Sequence, residues 1–408
     1  MYHDFTYYTP TKVVFGEGSI PKTGKLVKEY GGHKVLLHYG GGSVIRSGLL
    51  DRIKASLAAE GLTWVELGGV VPNPRLSLVY EGIRLSRAED VDFILAVGGG
   101  SVCDSAKGIA YGLAYDGDVW DFYLKKETIR AIAPLGVVIT IAATGSEMSN
   151  SSVLTMELPM DEAHRGAKLN GLKRSSKSDL GRPLFAVMDP SVTVSLPDYQ
   201  TFSGCADIMM HTMERYFDAD GTMELTDAIA EGLLRTVMSA SLKLKEDPAD
   251  LEARADVFWA GSLSHNGLTG CGSKGGDWAP HKLEHELSGM FDVTHGAGLS
   301  AIWGTWARYV VEFCGNPASL SRFERFARNV HGITGSDQAV VIEQGIAAQE
   351  DFFRAIGMPI SLTELGISPT ENQIRKMAAL CAEGVGGSCG SVMVLHEEDM
   401  AEIYRRAL

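Results

Sequence analysis

At 408 residues, with 45% hydrophobic and 22% charged side chains, the chain has the balance of a soluble globular protein long enough for two domains of ordinary size. A formal net charge of −14 argues against a nucleic-acid or anionic-membrane partner, which would want a basic face. No apolar run approaches the ~20 residues of a membrane span, and the start, Met1 to Tyr8, lacks the basic-then-apolar order of a signal peptide, so a cytoplasmic location is expected.

In chain order, short apolar runs at Lys34–Tyr39, Trp64–Leu67, Phe93–Val97, Val137–Ile141 and Phe185–Met188 alternate with helical patterns. Strands separated by helices predict βαβ units and a Rossmann-like, mostly parallel sheet. After the segment Asp189–Pro197 the pattern changes to long helical periods with few β-branched runs. The boundary therefore falls near Pro197. An α/β dinucleotide-binding domain is expected over 1–197 and an all-helical, metal-binding domain over 198–408. The cysteines at 103, 205, 271, 314, 381 and 389 are widely spaced with no C-x-x-C pair, which suits buried apolar residues better than a disulfide framework or thiolate metal site.

Two glycine clusters follow predicted strands: Gly40, Gly41, Gly42 and Ser43, then Gly98, Gly99, Gly100 and Ser101, the second running straight into a helix. Bare backbone N–H groups and the positive end of a helix dipole make such a turn a seat for a pyrophosphate. Neither cluster is G-x-G-x-x-G or a P-loop, and a triple glycine alone is more often only a tight turn. A third segment, Thr140 to Glu147, adds the hydroxyls of Thr140, Thr144 and Ser146 after a strand, where α/β sheets bind ligands.

In the helical half, Asp207 and His211 stand four apart on a helical pattern, so carboxylate and imidazole share one face. His281, His285 and His295 then fall within 15 residues, three of only 11 histidines. A lone Asp-x3-His is usually a surface pair or a capped histidine; joined to a histidine cluster it becomes a more credible metal site. Asp207, His211, His281 and His295 form a hard-to-borderline donor set suited to Fe(II) or Zn(II). A zinc-protease reading fails on order, because His281-Lys-Leu-Glu284-His285 has its glutamate fourth rather than second. His285, a turn beyond His281, is placed to relay a proton or to orient a ligand, and both roles stay open. Trp278, Phe291 and Phe122 offer walls for an apolar pocket.

The chain resembles the iron-containing (group III) alcohol dehydrogenases, within them the butanol dehydrogenase and NADPH-dependent aldehyde reductase branch. The resemblance spans essentially the whole length. It rests on Thr11-Lys-Val-Val-Phe-Gly16, Gly40 to Ser43, Val71-Pro-Asn-Pro74, Gly98 to Ser101 with Asp104 and Lys107, Asp118-Val-Trp-Asp-Phe122, Thr144-Gly-Ser-Glu147, Phe185 to Pro190, Asp207-x3-His211, and Asp277-Trp-Ala-x-His281-x3-His285 with His295. It implies a dehydroquinate-synthase-like architecture, with cofactor and metal in a cleft between the domains. The four metal ligands carry over without substitution. Asn73, Asp104, Thr140, Thr144, Ser146 and Lys173 match cofactor-lining positions, although Lys177 lies close enough for an alignment slip to shift the last.

The expected reaction is hydride transfer between NADP(H) and a short-chain aldehyde or primary alcohol of the butanal/butanol type, in a homodimer. NADP(H) is favoured over NAD(H) because the segment from Tyr39 to Arg46 offers no acid for a ribose 2′-hydroxyl, while Ser43 and Arg46 suit a 2′-phosphate. The competing readings are a same-fold glycerol-dehydrogenase-like or other polyol oxidoreductase, and a metal-binding protein without redox turnover.

Overall fold

The computed structural model describes residues 2–164 and 166–408. Its strands are β1 (Lys12–Phe15), β2 (Lys34–Gly40), β3 (Thr63–Val70), β4 (Phe93–Gly98), β5 (Leu135–Ile139), β6 (Ser151–Glu157), β7 (Gly171–Lys177) and β8 (Phe185–Met188). The chain divides into two compact units: Tyr8–Glu157 with Gly171–Leu196, and Met1–Tyr7 with Leu158–Asn170 and Pro197–Leu408.

The first unit is built on a six-stranded sheet in the order β1-β8-β5-β4-β2-β3, and every neighbouring pair runs parallel. β4, β5 and β8 are buried along their whole length, which explains their unbroken apolar sequences FILAVG, LGVVI and FAVM. On one face Val35 and Leu37, Phe93, Leu95 and Val97, and Phe185 and Val187 recur at every second residue and meet Ile53 and Leu57 from the helix Leu49–Ala59. Phe93 and Phe185 stack with ring centroids 6.0 Å apart. Each such buried side chain contributes about 1.5–3 kcal/mol of transfer free energy.

The strand order matters for what the sheet can bind. From β2 the chain moves outward to β3, then returns to β4 on the other side of β2. The order thus reverses between β2 and β4, which pair from Val35 with Phe93 to Tyr39 with Val97. The crevice outside the carboxyl ends of two such strands is where open α/β sheets hold ligands. Both glycine clusters sit there. The sequence reading did not include β1 or the antiparallel pair β6–β7, which forms a separate two-stranded sheet.

The second unit is helical. Its principal elements are Asp198–Tyr216, Glu224–Glu246, Leu251–His265, Ala279–Phe291 and His295–Phe313, followed by Pro317–His331, Gln338–Ala355, Glu371–Val385 and Glu397–Arg406. The helix Asp198–Tyr216 is buried without interruption from Thr201 to Glu214, so its polar residues Asp207, His211 and Glu214 lie in the interior. The segment Leu158–Asn170 joins this unit through the Lys168 and Leu169 N–H groups, which donate to the Met290 carbonyl at 3.1 and 3.2 Å. Among the described residues, no helix is long and apolar enough to cross a membrane.

Candidate active site

In the sheet unit, Gly40 ends β2, Gly41 is exposed, and Ser43 opens a one-turn helix to Arg46. Gly42 has φ +130°, and the Arg46 guanidinium is turned back over it: Nη1 lies 3.1 Å from where a Cβ on Gly42 would stand. On the neighbouring strand Gly98 ends β4, and Gly100 and Ser101 begin the helix Gly100–Leu113. A Cβ on Gly100 would stand 2.2 Å from Thr144 Oγ1, so the Thr144 loop rests directly on the first turn of that helix.

Thr140 lies just past β5, its N–H donating to the Gly98 carbonyl at 3.0 Å. Thr144 Oγ1 accepts from the Ser146 N–H at 3.2 Å. Ser146 Oγ donates to Asp104 Oδ1 at 2.6 Å, and Asp104 Oδ2 accepts from the Val153 N–H at 3.0 Å. Both Asp104 oxygens are therefore engaged inside the protein, which makes Asp104 a support of the loop. Lys107, fully buried three residues further along the helix, completes the arrangement. Its Nζ donates to the carbonyls of Ser146, Ser149 and Ser151 at 2.8, 3.0 and 2.7 Å, and to Ser146 Oγ at 2.9 Å. Burial lowers the Lys107 pKa, and Asp104 nearby opposes that shift. The sequence motif contains Lys107, but only the fold reveals it as the anchor of this loop.

Asn73 and Lys173 form a second pair, with Lys173 Nζ donating to Asn73 Oδ1 at 3.0 Å. Asn73 adopts φ 55°, a left-handed conformation that asparagine tolerates better than most residues. Lys173 is 4% exposed, whereas Lys177 is exposed at the end of β7, so Lys173 is the one brought into the interior.

In the helical unit, Asp207 and His211 project from Asp198–Tyr216, while His281 and His285 share a face of Ala279–Phe291. Asp292 closes that helix at φ 49°, and His295 opens the next one two residues after Val293. Gly296 allows the approach: a Cβ there would overlap the Ser203 carbonyl oxygen at 1.9 Å, so the start of the His295 helix lies against the Asp207 helix. The result brings one ligand atom each from Asp207, His281 and His295 within 4.8 Å of one another. The Nε2 atoms of His281 and His295 are each 3.8 Å from Asp207 Oδ1. His211 stands outside this tight set but borders it, with Nδ1 3.5 Å from Asp207 Oδ1 and its ring stacked on His281 at 4.6 Å. His285 is 7% exposed, its ring tilted against His295 with centroids 6.0 Å apart.

Two carboxylates that sequence reasoning passed over orient these rings. Glu214 hydrogen-bonds His281 Nδ1 and accepts from the His281 N–H at 3.0 Å; Glu284 hydrogen-bonds His295 Nδ1. Each thereby turns the Nε2 of its histidine toward Asp207. Burial and the adjacent imidazoles push the His281 pKa well below its usual value, while burial and Asp277 push Glu214 well above its own. With Nδ1 donating to Glu214, a neutral His281 keeps its Nε2 lone pair available. Among the described residues Nε2 of His281 is buried with no hydrogen-bond partner. A buried lone pair without a donor costs free energy. A divalent cation removes that cost, and carboxylate-backed imidazoles beside a carboxylate are the donor arrangement such ions take. Spacing did not reveal these pairings: Glu214 follows His211 and Glu284 follows His281 by three residues, but each backs a histidine from elsewhere in the sequence.

Around these groups Trp278 is half-buried, its ring centroid 5.3 Å from His281 and 6.2 Å from His211. Phe291 is buried at the end of the His281 helix. Phe122 belongs to the sheet unit, where it packs on Tyr111 and Tyr115 with centroids 6.2 and 4.7 Å away. Its contacts are those of an ordinary core aromatic. Asp277 caps the His281 helix through the Ala279 N–H at 2.9 Å and binds the Ser391 and Val392 N–H groups at 2.8 and 2.9 Å. Burial raises its pKa to about 6.

A parallel sheet with glycine turns at its switch point, and a helical unit with a buried Asp/His group, are the parts of a nicotinamide-dependent, metal-using oxidoreductase. The chain belongs to the iron-containing alcohol dehydrogenase family. Residues 10–190 match "Iron-containing alcohol dehydrogenase", and residues 201–408 match "Fe-containing alcohol dehydrogenase family, C-terminal". The chain is 38% identical to NADH-dependent butanol dehydrogenase A of Clostridium acetobutylicum over 99% of both proteins. It is 32% identical to NADPH-dependent aldehyde reductase YqhD of Escherichia coli over 90% of both. Its fold is similar to the crystal structure of NADH-dependent butanol dehydrogenase A from Thermotoga maritima, with a TM-score of 0.91 and 39% identity over 99% of this chain and 98% of the other.

Proposed function

We propose that the protein reduces short-chain aldehydes such as butanal to primary alcohols, with Asp207, His211, His281 and His295 holding one Fe(II) or Zn(II) ion. The observation that carries the reading is the Asp207–His281–His295 group, with a glutamate behind each imidazole. When bound, the metal supplies Lewis acidity at the carbonyl oxygen and the nicotinamide supplies hydride. The protein contributes position and protons. Glu214 and Glu284 fix the two imidazoles, Trp278 and Phe291 offer apolar surface to an alkyl tail, and His285 is placed either to deliver a proton to the substrate oxygen or to orient a neighbouring imidazole. The names of the relatives, butanol dehydrogenases and an aldehyde reductase, support the substrate class. The test is oxidation of NADPH by butanal on protein of defined metal content: activity lost on chelation and restored by Fe(II) or Zn(II) is expected, and protein inert under every metal condition would refute the reading.

Glu284→Gln keeps the size of the side chain but weakens the acceptor behind His295. The expected result is a loss of about 10–100-fold in metal affinity or activity, read by competition with a chelator. Wild-type affinity and rate would remove Glu284 from the site.

Gly40 to Ser43 and Gly98 to Ser101, with Asn73, Thr140, Thr144 and Lys173, are the proposed cofactor contacts, with Asp104 and Ser146 supporting them. NADP(H) is the proposed dinucleotide, because the end of β2 carries no acid and the Arg46 guanidinium lies over the glycine turn. Gly42 is a poor place to test this, since φ +130° strains any L side chain. Gly41 has open space around it. Gly41→Asp is expected to shift the kcat/KM ratio toward NADH by about tenfold, equivalent to about 1.4 kcal/mol. An unchanged ratio would mean that the 2′-phosphate binds elsewhere.

The proposed assembly is a cytoplasmic homodimer. β1 forms an edge of the sheet, and Phe15 and Tyr8 are 40% and 53% exposed, a surface suited to a second copy. Light scattering on the eluted protein tests it, and a monomeric mass at micromolar concentration would exclude it.

A further inference from the structure

Arg215 lies one turn beyond His211 on the same helix, and its guanidinium gathers four groups around the Asp/His set. Nη1 donates to the carbonyls of His211 and Ser264 at 2.8 and 2.9 Å. Nη2 lies 3.4 Å from His265 Nδ1. The guanidinium also covers the Trp278 ring at 4.6 Å, while the indole N–H of that ring donates to the Gly275 carbonyl at 2.7 Å. The loop before Trp278 presses on the helix here, since a Cβ on Gly276 would stand 2.7 Å from the Arg215 Cα.

A guanidinium has only donors and keeps its proton in proteins. In its contact with Arg215, His265 Nδ1 can therefore only accept, which selects the tautomer with the proton on Nε2. That ring stands edge-on to His211, centroids 4.0 Å apart, and 6.1 Å from Trp278. One cation thus sets the tautomer of one ring and the face of another, and both rings border the imidazoles of the site.

We propose that Arg215 is a positioning residue for the reaction, acting through His265 and Trp278 and touching neither substrate nor cofactor. The inference rests on the aldehyde-reductase reading for its kinetic consequence and on geometry alone for its spectroscopic one. Lysine cannot replace arginine here, because a point charge on a flexible stem reproduces neither the fork nor the flat face. Misplacing groups that bound a substrate weakens its capture, and small displacements carry large rate costs.

The experiment uses zinc-loaded protein labelled with 15N-histidine, with the His265 signals assigned through His265→Asn. Wild type is expected to show His265 as the neutral Nε2–H tautomer. Arg215→Met should lose that single tautomer and raise the KM for butanal by about tenfold, with a smaller fall in kcat and unchanged zinc content. Arg215→Lys should restore neither. An Nδ1–H tautomer in wild type overturns the proposal without any variant, so a poorly folding Arg215→Met does not shelter it. An unchanged tautomer in Arg215→Met, or equal kinetics in both variants and wild type, also overturns it. Wild type that shows the tautomer but reduces no aldehyde overturns the aldehyde-reductase reading, and with it the kinetic role, so the two failures remain distinct.

Discussion

His281→Ala is expected to lower aldehyde turnover by at least about a thousandfold while the helices stay folded. Lewis-acid assistance is worth several kcal/mol, and about 4 kcal/mol corresponds to three orders of magnitude in rate. The substitution removes the Nε2 that faces Asp207 and takes from Glu214 the ring it holds. Alanine suits a helix interior, so the segment Ala279–Phe291 keeps its backbone form. His295→Ala should act in the same way, through Glu284 instead of Glu214. Metal content by mass spectrometry, far-UV circular dichroism and turnover decide the matter together. Retention of wild-type metal and rate in either variant would exclude that histidine as an essential ligand.

His285→Asn should behave differently, keeping the metal and losing rate. His285 lies one helical turn from His281 and beside His295, but outside the group that converges on Asp207. If it relays a proton, its loss costs about 10²–10⁴-fold and changes the pH dependence of kcat. If it only orients a neighbour, the rate falls with an unchanged pH profile. Stoichiometric loss of metal would make His285 a ligand and send the assignment of His281 back for revision.

What the sequence made legible follows from which signals are local. The buried strands announce themselves because a parallel strand covered on both faces must be apolar throughout, as in Phe93–Gly98 and Leu135–Ile139. β1 is four residues at a sheet edge, with too little burial to leave a pattern. β6 and β7 escape for another reason. Their turn is replaced by the long segment 158–170, and β7 buries Lys173 and Ser176, so neither a hairpin signal nor apolar alternation is present. The histidines and Asp207 stand out by rarity and spacing. Glu214 and Glu284 do not, because a glutamate on a helix ordinarily reads as solvated surface. Only the crossing of the Asp207 and His281 helices puts Glu214 behind His281, and only the tight turn at Asp292 puts Glu284 behind His295. The role of Arg215 depends on four partners scattered from 211 to 278, which no periodicity reveals.

The passage of residues 158–170 into the helical unit also governs how the chain comes apart. The sheet unit is interrupted by a segment whose backbone partners, such as the Met290 carbonyl, are made more than a hundred residues later. The first seven residues likewise group with helices that begin at Pro197. A cut at Pro197 therefore separates no autonomous halves: residues 1–196 would carry a strap with nothing to bind, and residues 197–408 would present its empty seat. Stability in this protein is shared across the cut by connectivity, so the two units are expected to gain their final packing only when the whole chain is present.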